Sequence, residues 1–101
     1  MNSRIDLQIL LEDILGSKNV YYQPPSNIQM KYPAIVYSRS DIRNTYADNT
    51  VYIQKHIYDI TVIDKKPDSE IVEKVSKIPT CSFSRHYTAD NLNHDTFRLY
   101  Y

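Results

Sequence analysis

The apolar residues near the start of the chain recur at helical spacing. When the first sixteen residues are drawn as a helix, one stripe contains Leu7, Leu10, Leu11, Ile14 and Leu15. Ser3 followed by Asp6 forms a capping-box pattern. Gly16, the only glycine of the chain, stands where helices commonly end in a left-handed residue. The pattern predicts a first helix over this stretch.

Four later stretches carry strand patterns. Residues 34–37, AIVY, form a continuous apolar run after Pro33, which is typical of a strand buried on both faces. Residues 51–64, VYIQKHIYDITVID, give the longest pattern. Its apolar phase changes near residues 55–57, which indicates a bulge or a strand that serves two environments. Two alternating runs follow, with Cys81, Phe83 and Tyr87 in the first and Phe97, Leu99 and Tyr101 in the second.

A second helical pattern separates the long strand from the last two. Asp68 or Ser69 caps its start, Pro79 ends it, and its apolar residues are Ile71, Val72, Val75 and Ile78. The element order is therefore α-β-β-α-β-β, with residues 20–22 as a candidate for one further short strand. We predict one α+β domain over residues 1–101, with a mainly antiparallel sheet and two helices packed on one face.

Two irregular stretches interrupt these patterns. Residues 23–33, QPPSNIQMKYP, lie between the first helix and a core strand. We interpret their prolines as ending one extended segment and leading into the next, rather than as a docking peptide. Residues 38–50, SRSDIRNTYADNT, are polar and lack clean periodicity. They are either a long loop or two strand ends that extend into solvent as a hairpin arm.

Composition excludes several classes of protein. Twelve basic and twelve acidic residues cancel and are interspersed, so no basic stripe predicts binding to nucleic acid. One glycine allows no glycine-rich phosphate loop, and one cysteine allows no internal disulfide and fits a reducing compartment. No apolar run approaches the roughly 18 residues that span a bilayer, and acidic residues interrupt the apolar start of the chain. We therefore expect a cytosolic product without a membrane segment or signal peptide.

The candidate catalytic or metal-binding residues lie late in the chain. They are Cys81, His86, Asp90, His94 and Asp95. A cysteine nucleophile needs a histidine base within hydrogen-bond reach, and a metal site needs three or four converging ligands. Cys81 and His86 differ by an odd number of positions, so on a regular strand they face opposite sides. We therefore expect no catalytic site, no metal and no cofactor, with a small hydrolase or nuclease as an alternative.

The polar stretch at residues 38–50 has the composition of an interface. The chain holds ten tyrosines and no tryptophan, and tyrosine suits both half-buried strands and protein interfaces. This stretch also holds two arginines and no lysine, a bias found at the centres of interfaces. We predict a subunit or partner interface formed by Arg39, Arg43, Asn44, Tyr46, Asn49 and Tyr52. The alternative is a mobile, solvated loop.

Three stretches resemble the tail terminator, or tail completion, proteins of long-tailed bacteriophages and prophages. YPAIVY, residues 32–37, is similar to that family's entry from a proline into a core strand. Residues 51–78 resemble its long strand, turn and second helix. Residues 81–101, CSFSRHYTADNLNHDTFRLYY, resemble its closing hairpin.

This resemblance implies a structural component of the virion, made in the cytoplasm of the bacterial host and acting without catalysis. Copies of the chain would assemble as a ring, expected to be hexameric, that caps the tail tube and joins the head connector. The implied partners are the chain itself, the tube protein and the connector or stopper protein, with no membrane and no sequence-specific nucleic acid. The alternatives are another neck or head–tail connector protein, the tail tube protein, or a small protein-binding adaptor.

Overall fold

A computed structural model of the chain describes residues 4–24, 29–48, 50–66 and 69–101, and at residues 47 and 51–53 it describes the backbone alone. The described residues form two helices and five strands. In chain order these elements are α1 (Arg4–Leu15), β1 (Val20–Tyr22), β2 (Ala34–Ala47), β3 (Thr50–Asp64), α2 (Glu70–Ser76), β4 (Cys81–Ala89) and β5 (Leu92–Tyr100).

The five strands form one mixed sheet in the order β1-β2-β3-β5-β4. β1 runs parallel to β2, and the other neighbouring strands are antiparallel. The predicted α+β class with the order α-β-β-α-β-β is therefore wrong. The chain is a small mixed α/β protein with the order α-β-β-β-α-β-β.

The strand missing from the predicted order is β1. It has three residues, which give too few alternations to separate a strand from a loop. Its pairing, Val20 with Ile35, is made across the proline-containing segment, so no local turn pattern announces it. A parallel neighbour always needs such a crossover connection, whereas a hairpin neighbour is marked by its turn.

The core lies between one face of the sheet and the two helices. Ile35 lies opposite Val62, and Tyr37 lies opposite Ile60, which in turn lies opposite Phe97. Directly opposed residues share a face of the sheet, and so do alternate residues of each strand, so these side chains all point the same way. Residues from both helices complete the buried cluster of Leu7, Leu11, Val20, Ile35, Tyr37, Tyr58, Ile60, Val62, Val75, Ile78, Phe97 and Leu99.

α1 follows the predicted apolar stripe. Leu7 and Leu11 are fully buried against the sheet. Gly16 follows the helix with a φ of +77°, the left-handed conformation that glycine adopts without steric cost. Ser3, the predicted cap, lies outside the described residues. The remaining members of the stripe pack against the core while partly buried: Leu10, Ile14 and Leu15.

α2 begins at a serine cap. The Oγ atom of Ser69 accepts a hydrogen bond from the amide of Ile71 at 3.3 Å, which confirms one of the two predicted caps. Asp68, the other, lies outside the described residues. Val75 and Ile78 are buried in the core, so the predicted apolar face of this helix is confirmed.

Beyond the body of the sheet, β2 and β3 continue as a two-stranded hairpin. β5 pairs with β3 from Ile57 onward, whereas β2 and β3 remain paired as far as Ala47 and Thr50. We call residues 41–47 and 50–56 the arm, and the rest of the described chain the body. The molecule accordingly measures 51 × 26 × 23 Å. Two alternatives were predicted for residues 38–50, a hairpin arm and a long loop. The described part of this stretch forms the hairpin, and the loop alternative is wrong.

The change of apolar phase in β3 marks the place where this strand leaves the body. A register shift at that level lies in the partner strand, between Arg39 and Asp41, opposite Tyr58 and Ile57. On the body side, β3 contributes buried side chains to the core. On the arm side, the described side chains of residues 54 and 55 are exposed. β3 thus serves two environments, and the bulge belongs to β2.

Candidate interaction surface

One face of the arm carries a connected series of polar side chains. Asn44 Nδ2 donates to the hydroxyl of Tyr46 at 3.2 Å, and Gln54 Nε2 donates to Asn44 Oδ1 at 2.9 Å. Gln54 Oε1 in turn lies 3.1 Å from Nε2 of His56. We call these four residues the polar ladder. Because an isolated hairpin has few apolar contacts to hold it, the cross-strand bond from Gln54 to Asn44 favours one arrangement of the two arm strands.

The polar ladder continues into the body through a series of ring contacts. The imidazole of His56 stacks on Tyr58, with ring centroids 6.4 Å apart and planes inclined by 24°. Tyr58 lies 6.0 Å from Tyr37, whose ring is 4.9 Å from that of Tyr22. The Arg4 guanidinium lies 4.6 Å above the Tyr22 ring. The arm is therefore joined to the first helix through one uninterrupted series of side-chain contacts.

The tyrosine hydroxyl at the centre of the body is held by two partners. Tyr37 donates to Oε1 of Gln8 and accepts from Nη1 of Arg4 at 3.2 Å. Burial is the main cause that raises the pKa of Tyr37, while Arg4 opposes the increase. Burial likewise raises the pKa of Tyr58. Both phenols therefore stay neutral at physiological pH, and the Tyr37 hydroxyl keeps the proton that it donates.

The opposite face of the arm carries charged side chains. Nε of Arg43 lies 3.7 Å from Oδ2 of Asp41, and its guanidinium lies 5.5 Å from the ring centroid of Tyr100. Both members of the ion pair are more than half exposed, at 60% and 57%, so this pair adds little to the stability of the single chain. Oδ1 of Asp41 also accepts a hydrogen bond from the amide of Ile42 at 2.8 Å. These charges remain available to a partner.

Four of the six predicted interface residues lie on the arm: Arg43, Asn44, Tyr46 and Tyr52. Arg39 is exposed at the junction with the body, where its amide donates to Oε1 of Gln23 at 3.3 Å. Tyr52 lies on β3 at the second register shift, which falls between Thr45 and Tyr46 on the partner strand. Asn49 lies outside the described residues.

Other candidate interface residues were not among those that the sequence predicted. Ile42 is 40% exposed in the middle of an arm strand, and Gln54 supplies the central hydrogen bonds of the polar ladder. Ile42 is the lone aliphatic residue of a polar stretch, a signal that would have identified it. Ile5 and Ile9 are 62% and 60% exposed on the outer side of α1, and their spacing of four residues gives them a shared helical face.

The late cysteine and histidines lie on β4 and β5. A register shift between Phe83 and Arg85 brings Cys81 and His86 to the same face of β4, so the prediction of opposite faces is wrong. His86 nevertheless bonds to Asp95, with Nδ1 and Oδ1 2.8 Å apart. Burial raises the pKa of the Cys81 thiol, which disfavours the nucleophilic thiolate.

The remaining histidine of this region, His94, stacks on Tyr87 with ring centroids 4.7 Å apart. Within the described ranges, no group of three or more histidine, cysteine, aspartate or glutamate side chains is placed to hold a metal ion. Among the residues that the structure describes, no helix is long and apolar enough to cross a membrane.

No protein-family model matches the chain, and no curated protein matches it significantly.

Proposed function

We propose that this chain is a structural assembly protein whose copies form a closed ring, with the arm as a contact to the neighbouring subunit or to the structure on which the ring sits. More specifically, we propose a tail terminator of a long-tailed bacteriophage or prophage. In this role the ring caps the tail tube and joins it to the head connector. The observation that carries the proposal is the arm.

The arm has the physical properties of a contact element. A two-stranded hairpin on its own is marginally stable in water, because neither of its faces is covered. Here the described side chains of residues 41–46 are all exposed, among them Tyr46 at 63% and Ile42 at 40%. Exposed tyrosine, arginine and isoleucine on a preformed hairpin supply contact area that needs little further ordering on binding.

The way in which the arm is anchored also supports an assembly role. Its strands are extensions of β2 and β3, which are inner strands of the sheet, and the polar ladder links its surface to the core. A contact made by the arm is therefore held in a defined direction relative to the body. A ring needs this property, because a head-to-tail contact closes only when its rotation is fixed.

The tail-terminator assignment adds the resemblance of residues 32–37, 51–78 and 81–101 to this physical argument. A terminator requires neither cofactor nor catalytic group, and its partners are other copies, the tube protein and the connector protein. The near-neutral charge of the chain suits contacts between identical subunits, which a large net charge of one sign would oppose.

The test combines light scattering with negative-stain images of the purified protein, alone and mixed with tail tubes of the same phage or prophage. We expect rings, formed alone or on tube ends. Tyr46→Ala and Arg43→Ala should reduce them, because each removes an exposed contact group from the arm. Tyr87→Ala is the matched control, since Tyr87 is an exposed tyrosine of the body.

A protein that stays monomeric and also fails to bind tail tubes would overturn the proposal. Rings that form equally well with both arm variants would remove the arm from the contact. A monomer that instead forms a one-to-one complex with an unrelated protein, and loses it on Tyr46→Ala, would identify an adaptor.

A further inference from the structure

The outer edge of β2 is open along the arm. β1 pairs with β2 at residues 35–37, and Gln23 occupies the next position by accepting from the amide of Arg39. Beyond this point no strand of the described chain pairs with the outer edge of β2. An open edge is a template for another strand, and proteins usually block it with proline, a charge directed inward or a covering segment. On the arm the Asp41 carboxylate accepts from the amide of Ile42, and it has to release this donor when another strand pairs there.

The sequence along this edge is self-complementary in charge. Asp41, Ile42 and Arg43 are consecutive, with an aliphatic residue between opposite charges. When two such strands pair antiparallel with Ile42 opposite Ile42, each Asp41 lies opposite an Arg43. A register centred on Asp41 or on Arg43 would instead oppose two like charges, which is unfavourable for a cross-strand pair. The charges therefore select one register among its neighbours.

We propose that two copies of this chain pair through the outer edge of β2, antiparallel and centred on Ile42, so that Asp41 of each copy lies opposite Arg43 of the other. The pairing joins the two sheets into one continuous sheet across a two-fold axis. It covers the exposed Ile42 side chain with the same residue of the second copy on one face. On the other face it exchanges the exposed Asp41–Arg43 pair within each chain for two pairs between chains.

The extent of the contact is limited by the fold. Since β1 and Gln23 occupy the edge up to Arg39, only the arm can take part, and the body of each copy stays outside the pairing. A short pairing of this kind gives a reversible dimer rather than a permanent one.

This two-fold contact is separate from the contact that closes a ring. A two-fold contact uses the same patch on both copies, whereas a ring uses two different patches. The outer edge of β3 and the exposed side chain of Tyr46 remain outside the pairing. The inference therefore goes beyond the proposed function and does not rest on it. It describes how the free chain covers its open edge.

The test uses charge reversal in the full-length protein, with sedimentation velocity over a wide range of concentration. Asp41→Arg and Arg43→Asp each turn two attractive cross-strand pairs into two repulsive ones, so we expect the dimer dissociation constant to rise about thirtyfold for either. An equimolar mixture of these two variants should dimerise again, because two arginines of one chain then face two aspartates of the other. Asp13→Arg makes the same change of charge on the exposed surface of α1 and is the control.

Restoration on mixing is the decisive result, since a change in the fold of either variant would not be corrected by adding the other. Circular dichroism of each variant checks the fold directly. A wild-type protein that stays monomeric, single variants that dimerise like the wild type, or a mixture that does not recover would each overturn the pairing. Rings formed by a protein whose charge variants dimerise like the wild type would leave the ring proposal standing without this contact. A dimer that forms neither rings nor complexes with tail tubes would leave the two-fold pairing standing and overturn the ring proposal.

Discussion

The body and the arm share the same two strands but are stabilised in different ways. In the body, β2 and β3 bury one face against two helices, and their core side chains are almost wholly inaccessible to solvent. In the arm, the same strands expose the described side chains of residues 41–46, 54 and 55, and the polar ladder connects them. The comparison shows that a strand pattern can continue past the core when hydrogen bonds replace burial. The body then supplies stability, and the arm exposes its side chains to solvent.

The largest expected difference between the two regions concerns truncation of an aromatic side chain. Phe97→Ala in the body should reduce the free energy of unfolding by about 3–5 kcal/mol, because a fully buried ring leaves a cavity behind. Tyr46→Ala in the arm should change it by about 0.5 kcal/mol or less, because this side chain is already largely in water. Urea denaturation followed by circular dichroism measures both. Equal losses would show that the arm contributes to global stability as the body does.

A smaller, local effect is expected when the polar ladder is cut. Gln54→Ala removes the hydrogen bonds to Asn44 and His56, which are worth about 1 kcal/mol each. Amide hydrogen exchange should therefore accelerate in the arm while the urea midpoint of the body stays unchanged. Lys55→Ala, at the neighbouring exposed position on the other face of the arm, is the matched control. The same acceleration in both variants would contradict a specific role of the ladder.

Alkaline pH tests the stability of the body. Near pH 10 its effect on the free energy of unfolding should be smaller than the effects of the substitutions in the core and in the polar ladder. Burial raises the pKa of Tyr37 in the folded chain above the ordinary value of 10.0. Below pH 10 this phenol is neutral in both states and adds no pH dependence. Above pH 10 the unfolded chain loses the proton first, so the stability of the fold falls as the pH rises through the folded-state pKa.

The comparison variant for alkaline pH is Tyr37→Phe, which has no proton to lose at this position. Its urea midpoint should fall less steeply between pH 10 and higher values than that of the wild type. Tyr58, Tyr101 and Cys81, whose pKa values burial also raises, contribute to the part of the slope that remains. Identical slopes for the two proteins would show that Tyr37 does not hold its proton in the fold.

Periodicity predicted the elements that bury a face. The stripe through Leu7 and Leu11 identified α1, and the apolar alternation of β3 and β5 identified the residues of the core, because burial itself imposes those patterns. The parallel strand β1 could not be predicted in the same way. Its place in the sheet depends on a crossover whose residues carry no apolar alternation.

Irregularities in register are the second limit on prediction from sequence. The shift between Phe83 and Arg85 moved His86 to the face of Cys81, which counting by twos cannot anticipate. The arm shows a related limit, which arises from exposure rather than from register. A strand exposed on both faces has no alternation, so its pattern matches that of a loop, and composition alone pointed to Arg43, Asn44 and Tyr46. Nothing in the sequence distinguishes Gln54. Its place in the polar ladder follows only from its hydrogen bond to Asn44 on the paired strand.

The continuity of β2 and β3 has a mechanical consequence. The arm is a direct extension of β2 and β3, the inner strands of the sheet. A force that pulls its tip along the strand direction therefore loads in shear many backbone hydrogen bonds between these strands and their neighbours. The tip cannot be drawn away without also sliding Ile60 of β3 past Phe97 of β5 inside the core. A hairpin joined by a flexible linker would yield at the linker. In this protein the arm has no such linker, and a load on its tip is resisted by the whole sheet.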